Sequence, residues 1–171
     1  MSEHSVKTLS HLISAASIKE IDQWVAKYPS DQKQSAVMSA LMIAQEELGY
    51  LTKELMDAVA DYLEMPAIAV YEVASFYTMY EHKPVGRHLI SVCTNISCKL
   101  RNSAEVVAHL EKALAINLGE TTADGRFSMR SVECLGACVN APMMQIDKTY
   151  YENLTADKID AVLEEYRQAD K

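Results

Sequence analysis

Four cysteines, Cys93, Cys98, Cys134 and Cys138, are all that the 171-residue chain contains, and they fall into two pairs. Four residues separate the first two, three separate the last two, and 35 lie between the pairs. A short loop lets two sulfurs turn toward one atom, so two such loops can surround one metal centre. The intervening stretch is long enough for a helix and a strand. Any fold the chain adopts must therefore bring its two cysteine loops to one place.

Several chemistries compete for such a set. Free structural thiols behave as small hydrophobes, but two tight pairs that use every cysteine do not suit that role. The sequence has no C-x-x-C for a redox-active dithiol. Disulfides are disfavoured in a reducing compartment. Zinc held by four cysteines fits the spacing, because its ligand pairs have two to four intervening residues. Two features lean toward iron and sulfide. The loops are wider than the usual C-x2-C zinc knuckle, and they carry small or polar residues: Thr94, Asn95 and Ser97 in one, Gly136 and Ala137 in the other. Such loops let backbone N–H groups point at sulfur and tune a cluster. Plant-type ferredoxins need a cysteine three places after the C-x4-C pair, and here that position is Arg101. On spacing alone, zinc and iron–sulfur both remain open.

The rest of the composition is that of an ordinary globular chain, with 49% apolar and 23% charged residues. The formal charge is −8, with six lysines against twelve acids in residues 1–86 and ten basic against twelve acidic groups in residues 87–171. An acidic chain repels phosphate backbones, which argues against nucleic acid as a partner. No apolar run approaches the roughly 18 residues that direct membrane insertion needs. The N-terminus lacks the basic and apolar regions of a signal peptide, and residues 1–86 lack arginine, unlike a mitochondrial presequence. The expected location is cytoplasmic.

Residues 1–16 read as a flexible polar arm. Ser17 and Glu20 form a capping box for a first helix, followed at helical spacing by Ile18, Ile21, Trp24, Val25 and Tyr28. Ser30 opens a second helix, with Val37, Met38, Leu41, Ala44 and Leu48 as its stripe and Gly49 beyond its end. Thr52 caps a third, with Leu55, Val59, Tyr62 and Leu63 on one face. Pro66 starts a fourth, with Val70, Val73, Phe76 and Tyr77 on its apolar side. Short connections make residues 17–82 a four-helix bundle. Glu81 to Gly86 reads as a linker. After it, His88–Val92 is a strand running into Cys93, Asn102 and Glu105 cap a helix over Val106, Leu110 and Leu114, and Phe127–Val132 is a second strand. Met143–Ile146 and Tyr150–Tyr151 form a hairpin across Asp147-Lys148, and Thr155 caps a last helix with Ile159, Val162, Leu163 and Tyr166 inward. The expectation is an α+β chain, β-α-β-β-β-α following the bundle, with the second domain at residues 83–171.

The cysteine pattern, ending in Cys134-Leu-Gly-Ala-Cys138 and then Ala141-Pro142, resembles the thioredoxin-like [2Fe–2S] ferredoxins. Gly49-Tyr50-Leu51, Val73-Ala74-Ser75-Phe76-Tyr77 and Pro84-Val85-Gly86-Arg87-His88 resemble the E-subunit family of bacterial NADH:quinone oxidoreductases, complex I. The likeness covers about residues 17–166. It implies a thioredoxin-like α/β second domain carrying one [2Fe–2S] cluster, with Cys93 and Cys98 on one iron and Cys134 and Cys138 on the other. It also implies that the bundle helps dock the chain on a flavoprotein subunit that binds FMN and oxidises NADH, among other peripheral-arm subunits of an inner-membrane complex. The cluster would hold one electron from reduced flavin. Related modules serve NAD-linked hydrogenases and formate dehydrogenases.

The residues agree with a carrier role. There is no G-x-G-x-x-G for a dinucleotide, so hydride chemistry belongs to a partner and no catalytic acid, base or nucleophile is required. Lys99 and Arg101 either moderate the cluster's charge or are solvated loop charges. His88 and His109 are assigned to structure, and Tyr150 and Tyr151 to packing on the sheet. Asn95 and Asn140 are candidates to support the ligand loops.

Overall fold

The computed structural model describes residues 8–169, which fall into two compact units divided between Pro84 and Val85. The first is helical: α1 (Leu9–Leu12), α2 (Ala15–Val25), a 3-10 turn (Lys33–Ala36), α3 (Val37–Leu48), α4 (Lys53–Tyr62) and α5 (Ala67–Phe76). Its core is an apolar cluster with Ile21, Leu41, Leu55, Val59 and Val70 fully enclosed.

The expected caps divide here. Thr52 accepts from the Leu55 N–H at 3.1 Å, and Gly49 takes the left-handed conformation with φ 85°, both as the sequence indicates. The start of α2 differs. Ser14 is the cap, accepting from the Ser17 N–H at 3.3 Å, and Glu47 of α3 accepts from the Ser14 N–H at 2.7 Å. The Ser17/Glu20 capping box is not formed, because a carboxylate 33 residues away fixes the helix start three residues earlier. Of the expected arm, residues 1–7, including His4, lie outside the described residues. Residues 8–16 hold α1 and the start of α2, and Leu9 and Ile13 are buried in the core. The Ser30 helix begins instead as the 3-10 turn. Phe76, expected inside, is 77% exposed, and Tyr77 lies beyond the end of α5.

The second unit runs β1 (His88–Cys93), α6 (Ile96–Leu100), α7 (Ser103–Leu114), β2 (Phe127–Val132), a 3-10 turn (Cys138–Asn140), β3 (Met144–Ile146), β4 (Thr149–Tyr151) and α8 (Ala156–Ala169). The sheet order is β2-β1-β3-β4, with β1 parallel to β2 and antiparallel to β3. Ile90 and Val92 of β1, Val106 and Leu110 of α7, and Ile159 and Leu163 of α8 share one buried cluster, so the strand running into Cys93 and the expected helical stripes meet. Thr155 caps α8 by accepting from the Lys158 N–H at 3.3 Å. The Asn102/Glu105 cap is not made: Asn102 sits in the left-handed region at φ 64° with no side-chain cap bond. Gly86 belongs to the packed unit. Its N–H donates to Ser128 Oγ at 2.6 Å, and a Cβ there would lie 2.7 Å from the Phe127 carbonyl carbon. Only glycine permits this approach. Among the described residues no helix is long and apolar enough to cross a membrane.

Candidate metal centre

The parallel pairing of β1 and β2 brings the cysteine loops together. Cys93, the last residue of β1, is level with Val132, the last of β2, so the chain leaving β2 reaches Cys134 two residues later. The Cys93 thiol donates to the Glu133 carbonyl at 3.4 Å, and the Thr94 N–H donates to the Val132 carbonyl at 3.0 Å. The 35-residue gap is thus closed by one strand pairing.

Cys98 lies in α6, whose start is fixed by Asn95 accepting from the Ile96 N–H at 2.6 Å. One turn of helix returns Cys98 beside Cys93. Both are buried, in a cluster with Ala141 and Met143 that Leu135 and Ala137 pack against. Burial pushes the Cys98 thiol up to about 11; the Cys93 thiol and the charge of Cys138 add to this, while a backbone hydrogen bond with Met143 opposes it. Ionising several thiols so close together is unfavourable until a positive centre balances them.

Cys134 and Cys138 are exposed, and all four cysteines are free thiols. Gly136, at φ 84°, turns the loop so that its N–H donates to Cys134 Sγ at 3.4 Å. The loop is held from one side. Tyr150 Oη donates to the Leu135 carbonyl at 2.7 Å, Asn140 Nδ2 to Glu152 Oε2 at 2.8 Å, and the Leu154 N–H to the Pro142 carbonyl at 3.0 Å.

The other residues singled out in the sequence lie as follows. His88 pairs with Asp147 at 2.7 Å and meets the Tyr166 ring edge-on, and His109 pairs with Asp160 at 2.7 Å. Asn95 caps a helix and Asn140 bonds Glu152, so each contacts its cysteine loop through a group other than sulfur. Lys99 and Arg101 are exposed. Tyr151 bonds Tyr166 at 3.2 Å, but Tyr150, assigned to sheet packing, reaches the ligand loop instead. Residue spacing gives no sign of that bond, because the hairpin alone sets it. Ile96 (71% exposed), Leu100 (78%) and Val139 (92%) are apolar side chains on the ligand loops facing solvent.

Among the described residues no three or more His, Cys, Asp or Glu side chains converge on a single-ion site. The donor set itself fits an iron–sulfur cluster: four free thiols on two loops, a backbone N–H already directed at a sulfur, and an apolar floor under one pair.

Comparison with known proteins agrees with this donor chemistry. Residues 21–167 match the family model described as thioredoxin-like [2Fe-2S] ferredoxin. The second NADH-quinone oxidoreductase E subunit of Rhizobium meliloti (strain 1021) is 45% identical over 153 residues, which is 90% of each chain. The NADH-quinone oxidoreductase E subunit of Rickettsia bellii (strain RML369-C) is 44% identical over 144 residues, 84% of this chain and 86% of that one. In fold, the chain is similar to part of an NAD+-reducing [NiFe]-hydrogenase in the H2-reduced state, with a TM-score of 0.68 and 26% identity over 77% of this chain. It spans only 22% of that hydrogenase chain.

Proposed function

The chain belongs to the thioredoxin-like [2Fe–2S] ferredoxin family, and from that premise we propose that Cys93, Cys98, Cys134 and Cys138 hold its one cluster, the chain serving as the E subunit of an NADH:quinone oxidoreductase. The observation that carries the ligand set is the contact of the Cys93 thiol with the Glu133 carbonyl, one residue before Cys134, which joins the two cysteine loops. When bound, an all-thiolate [2Fe–2S] cluster supplies one-electron exchange at low potential. The chain's own residues do the rest. Cys93 and Cys98 anchor one side in the apolar floor, and Cys134 and Cys138 present the other side to the surface. The Gly136 N–H stabilises negative charge on Cys134 Sγ.

The partner in this reading is the subunit that binds FMN and oxidises NADH, within the peripheral arm of an inner-membrane complex. Ile96, Leu100 and Val139 support it, since apolar side chains on both ligand loops give a partner a surface from which water is excluded. A role in an NAD-linked hydrogenase is the second reading, supported by the fold likeness; the higher identity to the NADH-quinone oxidoreductase relatives favours the first. The test is purification of the chain with its neighbours. We expect two irons and two acid-labile sulfides per chain and recovery together with an FMN-containing, NADH-oxidising subunit. A zinc-bearing chain recovered alone would overturn the reading.

A further inference from the structure

We infer that Tyr150 is a positioning residue for the Cys134 side of the site, acting through the single peptide group that joins Leu135 to Gly136. The inference rests on reading the four cysteines as ligands. The carbonyl of that peptide accepts from Tyr150 Oη at 2.7 Å, and its N–H donates to Cys134 Sγ at 3.4 Å. The two bonds share one planar, conjugated unit. The phenol therefore does two things: it fixes the plane of the peptide, and it polarises the amide so that the N–H is a stronger donor to sulfur. Hydrogen bonds to ligand sulfurs set the potential of a thiolate-held cluster, and they favour the more negative, reduced form.

The need for such a device follows from burial. Cys93 and Cys98 are enclosed by Ala141 and Met143, whereas Cys134 and Cys138 are exposed, although Leu135 and Ala137 between them pack against that floor. That loop is braced by β4 and the turn after it. Besides the Tyr150 contact, Asn140 Nδ2 donates to Glu152, the Asn153 N–H to the Asn140 carbonyl at 2.7 Å, and the Leu154 N–H to the Pro142 carbonyl. These other bonds hold the loop in place. Two of these braces fall on peptides whose N–H meets a sulfur: the backbone Leu154 bond on the Pro142–Met143 peptide beside Cys98, and the Tyr150 bond, which is the one made by a side chain and the one on the Cys134 side.

The test uses the full chain carrying its cluster and compares Tyr150→Phe with Tyr151→Phe by redox titration and electron paramagnetic resonance. Tyr151 is the matched control, since its hydroxyl bonds Tyr166. Tyr150→Phe is expected to keep iron and sulfide but to lower the reduced-to-oxidised ratio at fixed ambient potential roughly two- to fivefold, with a change in g-anisotropy. Tyr151→Phe is expected to match wild type in both. Should Tyr150→Phe fail to assemble, 3-fluorotyrosine at position 150 carries the test at mildly acidic pH. It keeps the ring, strengthens the donor and should raise the same ratio. Wild-type values in both position-150 proteins, or an equal shift in Tyr151→Phe, would overturn the inference. A wild-type chain with no iron or sulfide would overturn the ligand assignment as well.

Discussion

The Cys93 thiol lies 3.4 Å from the Glu133 carbonyl, so the end of β1 touches the loop that carries Cys134. The two cysteine pairs meet unequally. One member of this junction is buried in an apolar floor and the other side faces solvent.

That asymmetry separates binding from stability in cysteine variants. Cys98→Ala and Cys138→Ala are both expected to abolish the normal cluster spectrum. In cluster-free protein, Cys98→Ala should also cost about 1–2 kcal/mol, because it removes a buried side chain. Cys138→Ala, at an exposed site, should stay within about 0.5 kcal/mol of wild type. Visible absorption and urea unfolding check the two effects. A normal cluster in Cys138→Ala would remove that residue from the ligand set.

The exposed apolar residues of the ligand loops should matter to a partner and hardly at all to the fold. Val139→Lys, at the most exposed of them, is expected to leave unfolding within about 0.5 kcal/mol of wild type. It should weaken association with the flavin-bearing subunit about tenfold or more, the loss expected for a contact worth about 1.4 kcal/mol or above. Titration calorimetry or surface binding against that subunit measures this directly. Unchanged affinity would place the interface elsewhere.

Gly86 tests the packing of the segment that leads into β1. Gly86→Ala would put a Cβ 2.7 Å from the Phe127 carbonyl carbon and 2.8 Å from the Ser128 nitrogen, both backbone atoms that cannot swing away. A loss of about 1–3 kcal/mol is expected from overpacking. Gly49→Ala meets no atom but must hold φ 85°, and should cost about 1 kcal/mol through strain alone. Denaturant midpoints of the two variants separate the mechanisms.

The helical unit carries a carboxylate with a defined pH signature. Burial raises the Asp57 carboxyl, but hydrogen bonds from Lys53 and Tyr71 outweigh it and the net shift is downward. A lowered carboxyl contributes stability above its unfolded pKa and loses it as pH falls through the folded value. Asp57→Asn should therefore be less stable than wild type at neutral pH, by less than about 1 kcal/mol given its exposure. The gap should close as pH drops below the ordinary carboxylate range. A gap independent of pH would mean that charge on Asp57 contributes nothing.

Much of this was legible because local patterns and tertiary packing agree. The stripes of α3 (except Leu48, which is exposed), α4, α7 and α8, the caps at Thr52 and Thr155, and strands β1 and β2 follow from periodicity and turn chemistry. Failures occurred where a distant group decides a local outcome. Glu47 moves the start of α2 to Ser14, and the core claims Leu9 and Ile13 from a stretch too short to show a period. Asn102 has the residue type of a cap but takes a left-handed turn. At the site, the cysteine spacing displayed the four residues proposed as ligands. The Tyr150 contact had no sequence signal, because it depends on where a three-residue strand places one hydroxyl.

The central claim is that these four thiols hold a two-iron cluster. Electron paramagnetic resonance of the dithionite-reduced, purified full chain tests it most directly. A spin-one-half signal integrating to about one spin per chain is predicted, absent from each of the four cysteine-to-alanine variants. A colourless, silent protein that carries zinc would contradict it.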